Sequence, residues 1–165
     1  MQKRALAIHD ISCVGRCSLT VALPVLSAVG IETSILPTAV LSTHTGGFTG
    51  YTFRDLTEDI MPIAEHWKSL DLRVDAIYTG YLGSFEQIEM VKKIIDMFRR
   101  EDTVVLVDPV MGDNGSMYAG SGPEFAKGMV GLCQKADIVI PNLTEAALLL
   151  DEEYAGEERS KTEVE

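Results

Sequence analysis

The most informative segment of the chain for its architecture is Val104-Val-Leu-Val-Asp108-Pro-Val-Met-Gly-Asp113-Asn-Gly-Ser-Met-Tyr118. Its first four residues form an apolar, mostly β-branched run, which is the pattern of a strand buried on both faces of a parallel sheet. Asp108 follows this run directly, and open α/β sheets bind their ligands at the carboxyl ends of their strands. The glycines beyond it allow tight turns and close approach of the backbone to a phosphate group. Asp-Pro after a strand is also ordinary turn chemistry, so the stretch alone supports a turn and a ligand site equally.

Similar apolar runs alternate with helical patterns along the rest of the chain. Three sequences resemble capping boxes at helix starts, namely Asp55-x-x-Glu58, Ser84-x-x-Gln87 and Asn142-x-x-Glu145. The alternation predicts an α/β fold with three layers, α/β/α, around a mostly parallel central sheet. Strands are predicted at 4–9, 33–36, 39–41, 74–78, 104–107 and 137–140, and helices at 18–29, 55–69, 84–98, 123–134 and 143–150. The domain is expected to cover residues 1–150, and residues 151–165 to form an acidic tail that begins a short helix at the capping pattern Ser160-x-x-Glu163.

Composition and charge limit the classes of partner. The chain has 165 residues, enough for one domain with a real core, and a formal net charge of −11. An acidic surface without a basic stripe argues against nucleic acid and anionic membranes as partners. The apolar run behind Lys3 and Arg4 is too short for a signal peptide or a membrane span. Three cysteines without zinc-type spacing favour reduced thiols in a reducing compartment, so we expect a cytoplasmic protein.

Four predicted strands end in polar residues. These are Asp10, Tyr81, Asp108 and Asn142, and in a parallel sheet such ends face one crevice. Mg²⁺ prefers oxygen ligands, which Asp108, Asp113 and Glu145 could supply directly or through water. With the glycines of 112–122, this set suggests nucleotide-dependent phosphoryl transfer. The spacing of Asn142 and Glu145 also fits a simple helix cap, and the two roles are compatible. Neither G-x-x-x-x-G-K-[ST] nor G-x-G-x-x-G occurs, so a P-loop and a dinucleotide-binding fold are not supported.

Five short motifs, taken in order, resemble the pyridoxal kinase branch of the ribokinase superfamily. They are Leu41-Ser-Thr-His-Thr-Gly46, Thr79-Gly-Tyr-Leu-Gly-Ser84, Asp108-Pro-Val-Met-Gly-Asp113, Gly115-Ser-Met-Tyr118 and Pro141-Asn-Leu-Thr-Glu145. The resemblance implies ATP-dependent phosphorylation of the 5′-hydroxymethyl group of pyridoxal, pyridoxine or pyridoxamine, with Mg²⁺. It also implies a homodimer in full-length members of the family.

The resemblance assigns site residues by position. Asp10, Val14, Thr45 and Tyr81 match the vitamin pocket, and His44 falls in the flexible substrate-side segment 42–51; Asp108, Asp113, Asn142 and Glu145 match the metal and phosphate site, and Tyr118 lies near the nucleotide. Many pyridoxal kinases have a serine where this chain has Asp10. A carboxylate at that position leaves the preferred vitamer open.

The chain departs from the family in one further respect. Family members are longer and contain a Gly-x-Gly-Asp motif whose aspartate is the general base, and no such motif occurs in these 165 residues. The resemblance therefore implies an N-terminal, truncated part of a kinase with no assigned catalytic base, for which we expect no appreciable turnover. Two alternatives remain open. One is hydroxymethylpyrimidine kinase of thiamine synthesis, although Thr43-His-Thr45 and Thr79-Gly-Tyr-Leu-Gly83 favour pyridoxal kinase. The other is a non-catalytic fragment that binds a vitamer or nucleotide.

Overall fold

The computed structural model describes residues 2–118 and 122–154. Strands and helices alternate along the described residues in the way that the apolar runs predict. In chain order they are β1 (Arg4–Ser12), α1 (Leu19–Ala28), β2 (Glu32–Leu41), β3 (Phe53–Asp55), α2 (Thr57–Ser69), β4 (Ala76–Thr79), α3 (Phe85–Phe98), β5 (Val104–Val107), β6 (Gly112–Asp113), β7 (Ser116–Met117), α4 (Pro123–Cys133), β8 (Ile138–Val139) and α5 (Leu143–Leu150).

Six of these strands form one sheet in the order β3-β2-β1-β4-β5-β8. All neighbouring pairs are parallel except β2 and β3, which are antiparallel. The prediction of a mostly parallel α/β sheet is therefore confirmed. Strands β6 and β7 form a separate antiparallel hairpin that follows β5.

The sheet is covered by helices on both faces. Leu6 and Ile8 of β1 belong to a fully buried core that also contains Ile60 of α2, Ile88 of α3 and Met129 of α4. Because successive side chains of a strand point to opposite faces, Ala5 and Ala7 face the other layer, where α1 packs on β1 and β2. This is the three-layer arrangement that the alternation predicts.

Trp67 is the single tryptophan of the chain and lies in the last turns of α2. It is partly buried and packs against the same core. The backbone carbonyl of Trp67 accepts a hydrogen bond from Leu72 N at 3.1 Å, and Asp75 N bonds to Arg4 O at 2.8 Å just before β4 begins. Trp67 is therefore near the amino ends of the parallel strands.

Three strand predictions need correction. β1 continues to Ser12, so Asp10 lies inside a strand and not beyond its end. β2 runs unbroken through Pro37, where a break was predicted. Proline has no N–H for the sheet ladder, and the pairing of β1 with β2 shifts its register directly after the His9–Pro37 pair. The short edge strand β3 was not predicted.

The capping patterns differ in outcome. Asn142 and Glu145 form both bonds of a capping box, so that prediction is confirmed. Ser84 accepts the predicted bond from Gln87 N at 3.2 Å. The box at Asp55 is wrong, because α2 begins at Thr57 and the Asp55 carboxylate instead accepts from Thr57 N at 2.7 Å in a tight turn. The capping pattern at 160–163 lies outside the described residues.

Candidate active site at the carboxyl ends of the strands

A cavity of about 470 Å³ opens at the carboxyl ends of the central strands, between the sheet and α1. Tyr81 and Asp108, which follow β4 and β5, both line it. His9 and Tyr78 line it from the sheet itself. Two of the four polar residues predicted at strand ends therefore share one cavity.

Asp108, which lines this cavity, has the buried Glu145 carboxylate as a neighbour. Burial and, to a smaller extent, the charge of the Glu145 carboxylate together raise the pKa of Asp108 to about 6. Glu145 is 3% exposed, and its two oxygens accept from Met111 N at 3.2 Å and from Asn142 N at 2.9 Å. Burial raises the pKa of Glu145 as well. A cation at this pair would relieve a like-charge repulsion that the fold itself imposes.

Asp113 differs from these two residues in its exposure and in its hydrogen-bond partners. It is exposed, and its carboxylate accepts from Asn114 N at 2.8 Å and from the Asn114 side-chain amide at 3.1 Å. Within the described ranges 2–118 and 122–154, no three His, Cys, Asp or Glu side chains come together as a metal-binding group. Two carboxylates with water and substrate phosphate are nevertheless an ordinary Mg²⁺ environment, so Asp108 and Glu145 fit such an ion.

The β6–β7 hairpin holds Asp113 above the start of α5. Its turn is Asn114-Gly115, with φ of 51° and 76°, the combination that two-residue hairpin turns require. Gly115 N donates to Thr144 Oγ1 at 2.9 Å, and the Asn142 amide donates to Gly112 O at 2.9 Å. The glycine-rich pattern suggested that this backbone approaches a phosphate. The Gly115 N–H is instead bonded within the protein and is not free to bind one.

Two further predicted residues, Asn142 and Tyr118, lie close to these carboxylates but do not line the cavity. Asn142 is exposed, and its side chain is used in capping α5 and in holding the hairpin. Tyr118 is exposed, and its pKa is raised by partial burial and then by the charges of Asp113, Glu145 and Asp108. The structure therefore brings Tyr118 close to all three of the carboxylates that the sequence proposed.

Tyr81, which lines the cavity, lies within the electrostatic influence of the buried Asp10 carboxylate. Asp10 is 4% exposed, and its carboxylate accepts from Ser12 Oγ at 3.0 Å. Burial raises the pKa of Tyr81, and the charge of Asp10 adds to this effect. Thr38 Oγ1 donates to the Tyr81 carbonyl at 3.1 Å and so fixes the turn that carries the ring.

Val14 and Thr45 lie in two loops that continue the pairing of β1 and β2. Val14 N donates to Ser42 O at 3.2 Å, and His44 N donates to Val14 O at 3.1 Å. Both Val14 and Thr45 are exposed. The loops at 13–17 and 42–52 are therefore joined through their backbones near Tyr81.

His44 supports this junction through its ring. Its Nδ1 accepts from Gly46 N at 3.1 Å, and the ring meets Phe48 edge-on with centroids 4.9 Å apart. The ring also lies against Gly15, where a Cβ would stand 1.9 Å from His44 Cδ2. Gly15 has φ of +96°, so both its backbone and its surroundings require glycine. His44 contacts the protein on several sides, which the sequence did not reveal.

His9 is a polar residue of the cavity that the sequence analysis did not single out. It is 2% exposed, and burial lowers its pKa to about 4, so the imidazole is neutral at pH 7. Its ring meets Tyr78 edge-on at 4.3 Å, and its Nε2 has no hydrogen-bond partner within the described part of the chain. The only signal in the sequence was a histidine at the end of an apolar run.

Comparisons with known proteins agree with this geometry. A family model described as phosphomethylpyrimidine kinase matches residues 23–165. The pyridoxine/pyridoxal/pyridoxamine kinase of Bordetella avium is 31% identical over 145 residues, which cover 82% of this chain and 47% of that protein. This chain therefore spans about half the length of the kinase it matches. No helix in the described residues is long and apolar enough to cross a membrane.

Solved structures of related kinases have the same fold as this chain. A Bacteroides thetaiotaomicron protein, provisionally named a phosphomethylpyrimidine kinase and crystallised with pyridoxal, has a TM-score of 0.94 and 46% identity; the match covers 99% of this chain and 57% of that one. The pyridoxal kinase of Leishmania donovani in complex with ADP and pyridoxamine has a TM-score of 0.79 and 25% identity, over 88% of this chain and 53% of that one. The chain thus belongs to the phosphomethylpyrimidine kinase family and shares the ribokinase-like fold of the pyridoxal kinases.

Proposed function

We propose that this chain supplies the vitamer-binding and phosphate-binding residues of an ATP-dependent kinase that phosphorylates the 5′-hydroxymethyl group of pyridoxal, pyridoxine or pyridoxamine. One observation carries the proposal. Tyr81 and Asp108 line one cavity at the strand ends, where open α/β sheets bind ligands, and the carboxylates of Asp10 and Glu145 lie close enough to raise the pKa of Tyr81 and of Asp108, respectively. An aromatic ring on one side suits a pyridine, and carboxylates on the other suit a metal-bound phosphate.

Each site residue has a proposed task. Tyr81 lies against the vitamer ring, while Asp10, Val14, His44 and Thr45 border it. Asp108, Asp113 and Glu145 hold Mg²⁺ directly or through water, and Asn142 and Tyr118 contact the nucleotide. The ion, when bound, neutralises charge on the transferring phosphate. The neutral His9, which lines the cavity, adds no charge near the vitamer.

The names of the relatives support the choice of substrate. One solved relative contains pyridoxal, and another contains ADP and pyridoxamine. The three cysteines are free, which suits a reducing compartment such as the cytoplasm. We assign no general base among these residues, and we expect residues 1–165 by themselves to bind a vitamer without turnover.

Calorimetric titration with pyridoxal tests the proposal on the chain as it exists. Tyr81→Ala should weaken pyridoxal binding about tenfold, which corresponds to about 1.4 kcal/mol of lost ring contact. Tyr81→Phe is the matched control, because it keeps the ring and should bind nearly as well as the natural chain. Absence of pyridoxal binding by the natural chain would reject the vitamer assignment. A coupled assay showing ADP release at normal enzyme rates would overturn the expectation of no turnover.

Hydroxymethylpyrimidine kinase is the second candidate. The matching family model and the provisional name of the Bacteroides thetaiotaomicron relative both favour it. Titration of the same chain with hydroxymethylpyrimidine separates the two, since the proposed function requires pyridoxal to bind more tightly. A non-catalytic binding module is the third reading, and it would bind a vitamer without any response to Mg²⁺-ATP.

A further inference from the structure

Gln87 is a fully buried polar residue in the first turn of α3, with 0% of its surface exposed. Its sequence position suggested that its side chain would return to the start of the helix as a capping group. The side chain does not accept from Ser84 N but bonds to the preceding residue, Gly83, and to two other segments. Its Oε1 accepts from Gly83 N at 2.8 Å, and its Nε2 donates to Thr38 O at 3.1 Å and to Thr57 Oγ1 at 2.9 Å.

These partners fix the orientation of the Gln87 amide. A glutamine amide offers two donors and one carbonyl oxygen, and here each has a partner. The reversed orientation would direct the oxygen at the Thr38 carbonyl and the NH₂ group at the Gly83 N–H, so both contacts would be lost. Asp55 Oδ2, at 3.4 Å from Nε2, also favours a donor at that position. The bonds are therefore specific to glutamine.

The partners of Gln87 come from separate parts of the vitamer side. Gly83 follows Tyr81 in the loop after β4, and Thr38 is the same residue whose hydroxyl holds the Tyr81 carbonyl. Thr57 starts α2, directly after the edge strand that ends loop 42–52. We call Gln87, Thr38, Asp55, Thr57 and Gly83 the Gln87 junction. It connects the turn carrying Tyr81 with the base of the loop carrying Thr45.

We propose that Gln87 is a positioning residue that sets the Tyr81 ring relative to loop 42–52. Gln87 does not line the cavity, so it acts through the backbone of its partners. A buried residue that only filled space could be replaced by leucine, whereas this one orients two ligand-bearing segments by hydrogen bonds. The consequence for vitamer binding rests on the function proposed above, and the geometric role does not.

Hydrogen exchange tests the geometric role without any ligand. Gln87→Leu keeps a similar volume and removes the junction bonds, so the backbone amides of 81–84 and 53–57 should exchange about tenfold faster. The matched control is Thr103→Val, which removes a buried hydroxyl bonded to Val74 O at 3.1 Å at the opposite end of the sheet. This control should leave the amide exchange rates of 81–84 and 53–57 unchanged. Unchanged exchange of both segments in Gln87→Leu would overturn the proposal.

Pyridoxal affinity gives a second and independent readout. Gln87→Leu should weaken binding about fivefold in the natural chain but less than about twofold in a Tyr81→Ala background, because its effect passes through that ring. Equal losses in both backgrounds would indicate a general structural role and contradict the proposal. If the natural chain binds no pyridoxal, the proposed function fails, and the exchange experiment still decides the role of Gln87.

A milder variant covers the case in which Gln87→Leu does not fold. Thr38→Val keeps the branched shape and the carbonyl of residue 38 and removes the hydroxyl bond to Tyr81 O. It should speed exchange in 81–84 and leave 53–57 protected. Unchanged exchange in 81–84 would show that the junction does not hold the Tyr81 turn.

Discussion

The two sides of the candidate site are built in different ways. On the phosphate side, Glu145 and Asn142 are held by side-chain bonds to the hairpin and to the start of α5. On the vitamer side, Val14 and Thr45 belong to exposed loops that are joined through backbone bonds and the packed ring of His44. Under the proposed function, this difference assigns a different kind of recognition to each side. Charge needs fixed, buried carboxylates, whereas an aromatic ligand needs a surface whose shape is set by loops.

The largest effect is expected on the phosphate side. Glu145→Ala removes the acceptor of two backbone N–H groups and one half of a capping box, so it should lower the free energy of unfolding by about 4 kcal/mol. Urea unfolding measures this change. Glu124→Ala is the control, because Glu124 is an exposed acid in the first turn of α4 and its loss should cost less than about 0.5 kcal/mol. Equal costs for the two variants would mean that the phosphate side is not rigidly held.

Lowering the pH should change the contributions of His9 and Asp108 to the free energy of unfolding in opposite directions. His9 has a pKa of about 4 in the folded protein and 6.5 as a free group, so its contribution is complete above pH 6.5. As the pH falls to about 4, the unfolded chain gains a proton first and about 3 kcal/mol of stability is lost. Asp108, with its pKa raised to about 6, is destabilising above pH 6 and this penalty is relieved as the pH falls towards 3.8.

Urea unfolding of His9→Gln between pH 4 and 7.5 separates these contributions. The variant lacks the loss due to histidine, so its stability should fall less with acid than that of the natural chain. The same pH dependence in both proteins would show that His9 is not held neutral by burial.

Gly15→Ala, on the vitamer side, should lower the free energy of unfolding by about 2 kcal/mol. The new methyl group meets His44 and the backbone has a positive φ, so both strain and collision oppose it. Gly30→Ala is the control, since Gly30 has φ of +81° with no atom within 4 Å of its Cβ position, and it should cost about 1 kcal/mol. In a His44→Ala background the cost of Gly15→Ala should fall to the Gly30→Ala value. Thermal or urea unfolding of the natural chain, the three single variants and the double variant provides the test, and an unchanged cost would contradict contact between the two residues.

The smallest effect concerns the hairpin turn. Asn114→Ala puts a residue with no side-chain bond at φ of 51° and removes the amide that bonds to Asp113, at a cost of about 1 kcal/mol. Asn114→Gly suits the same backbone and should change stability by only a few tenths of a kcal/mol. Urea unfolding compares the two. If the glycine variant instead loses as much stability as the alanine variant, the effect comes from the lost Asp113 contact and not from the backbone.

Local chemistry explains what the sequence could and could not predict. The run Val104–Val107 was correctly predicted to be a strand, but its burial on both faces was wrong, because Val105 and Val107 are buried whereas Val104 is exposed and Leu106 is only partly buried. The pair Asn142 with Glu145 was correctly interpreted, because capping depends on neighbouring residues. Edge strand β3 has three exposed residues and no alternation, so it exists through pairing with β2 and left no local signal. Asp55 and Gln87 each fit a capping spacing, but the Asp55 carboxylate accepts from Thr57 N in a tight turn, and the Gln87 amide donates to the Thr38 carbonyl in a distant segment.

The same limit applies to the candidate site. Asp10, Tyr81, Asp108 and Asn142 were selected because polar residues at strand ends share one edge of a parallel sheet. The closeness of Tyr118 to the carboxylates follows from the hairpin, and the packing of His44 on Gly15 joins two loops whose residues are 29 positions apart in the chain. Tertiary contacts of this kind carry no periodic or spacing pattern.

The position of Trp67 gives the molecule an internal optical reporter. The indole lies near the amino ends of the strands, packed on the core, while the candidate site is at their carboxyl ends. Its emission will therefore follow loss of the core and will be insensitive to a ligand that stays at the other end of the sheet. A single fluorophore thus separates global unfolding from occupancy of the site in one titration.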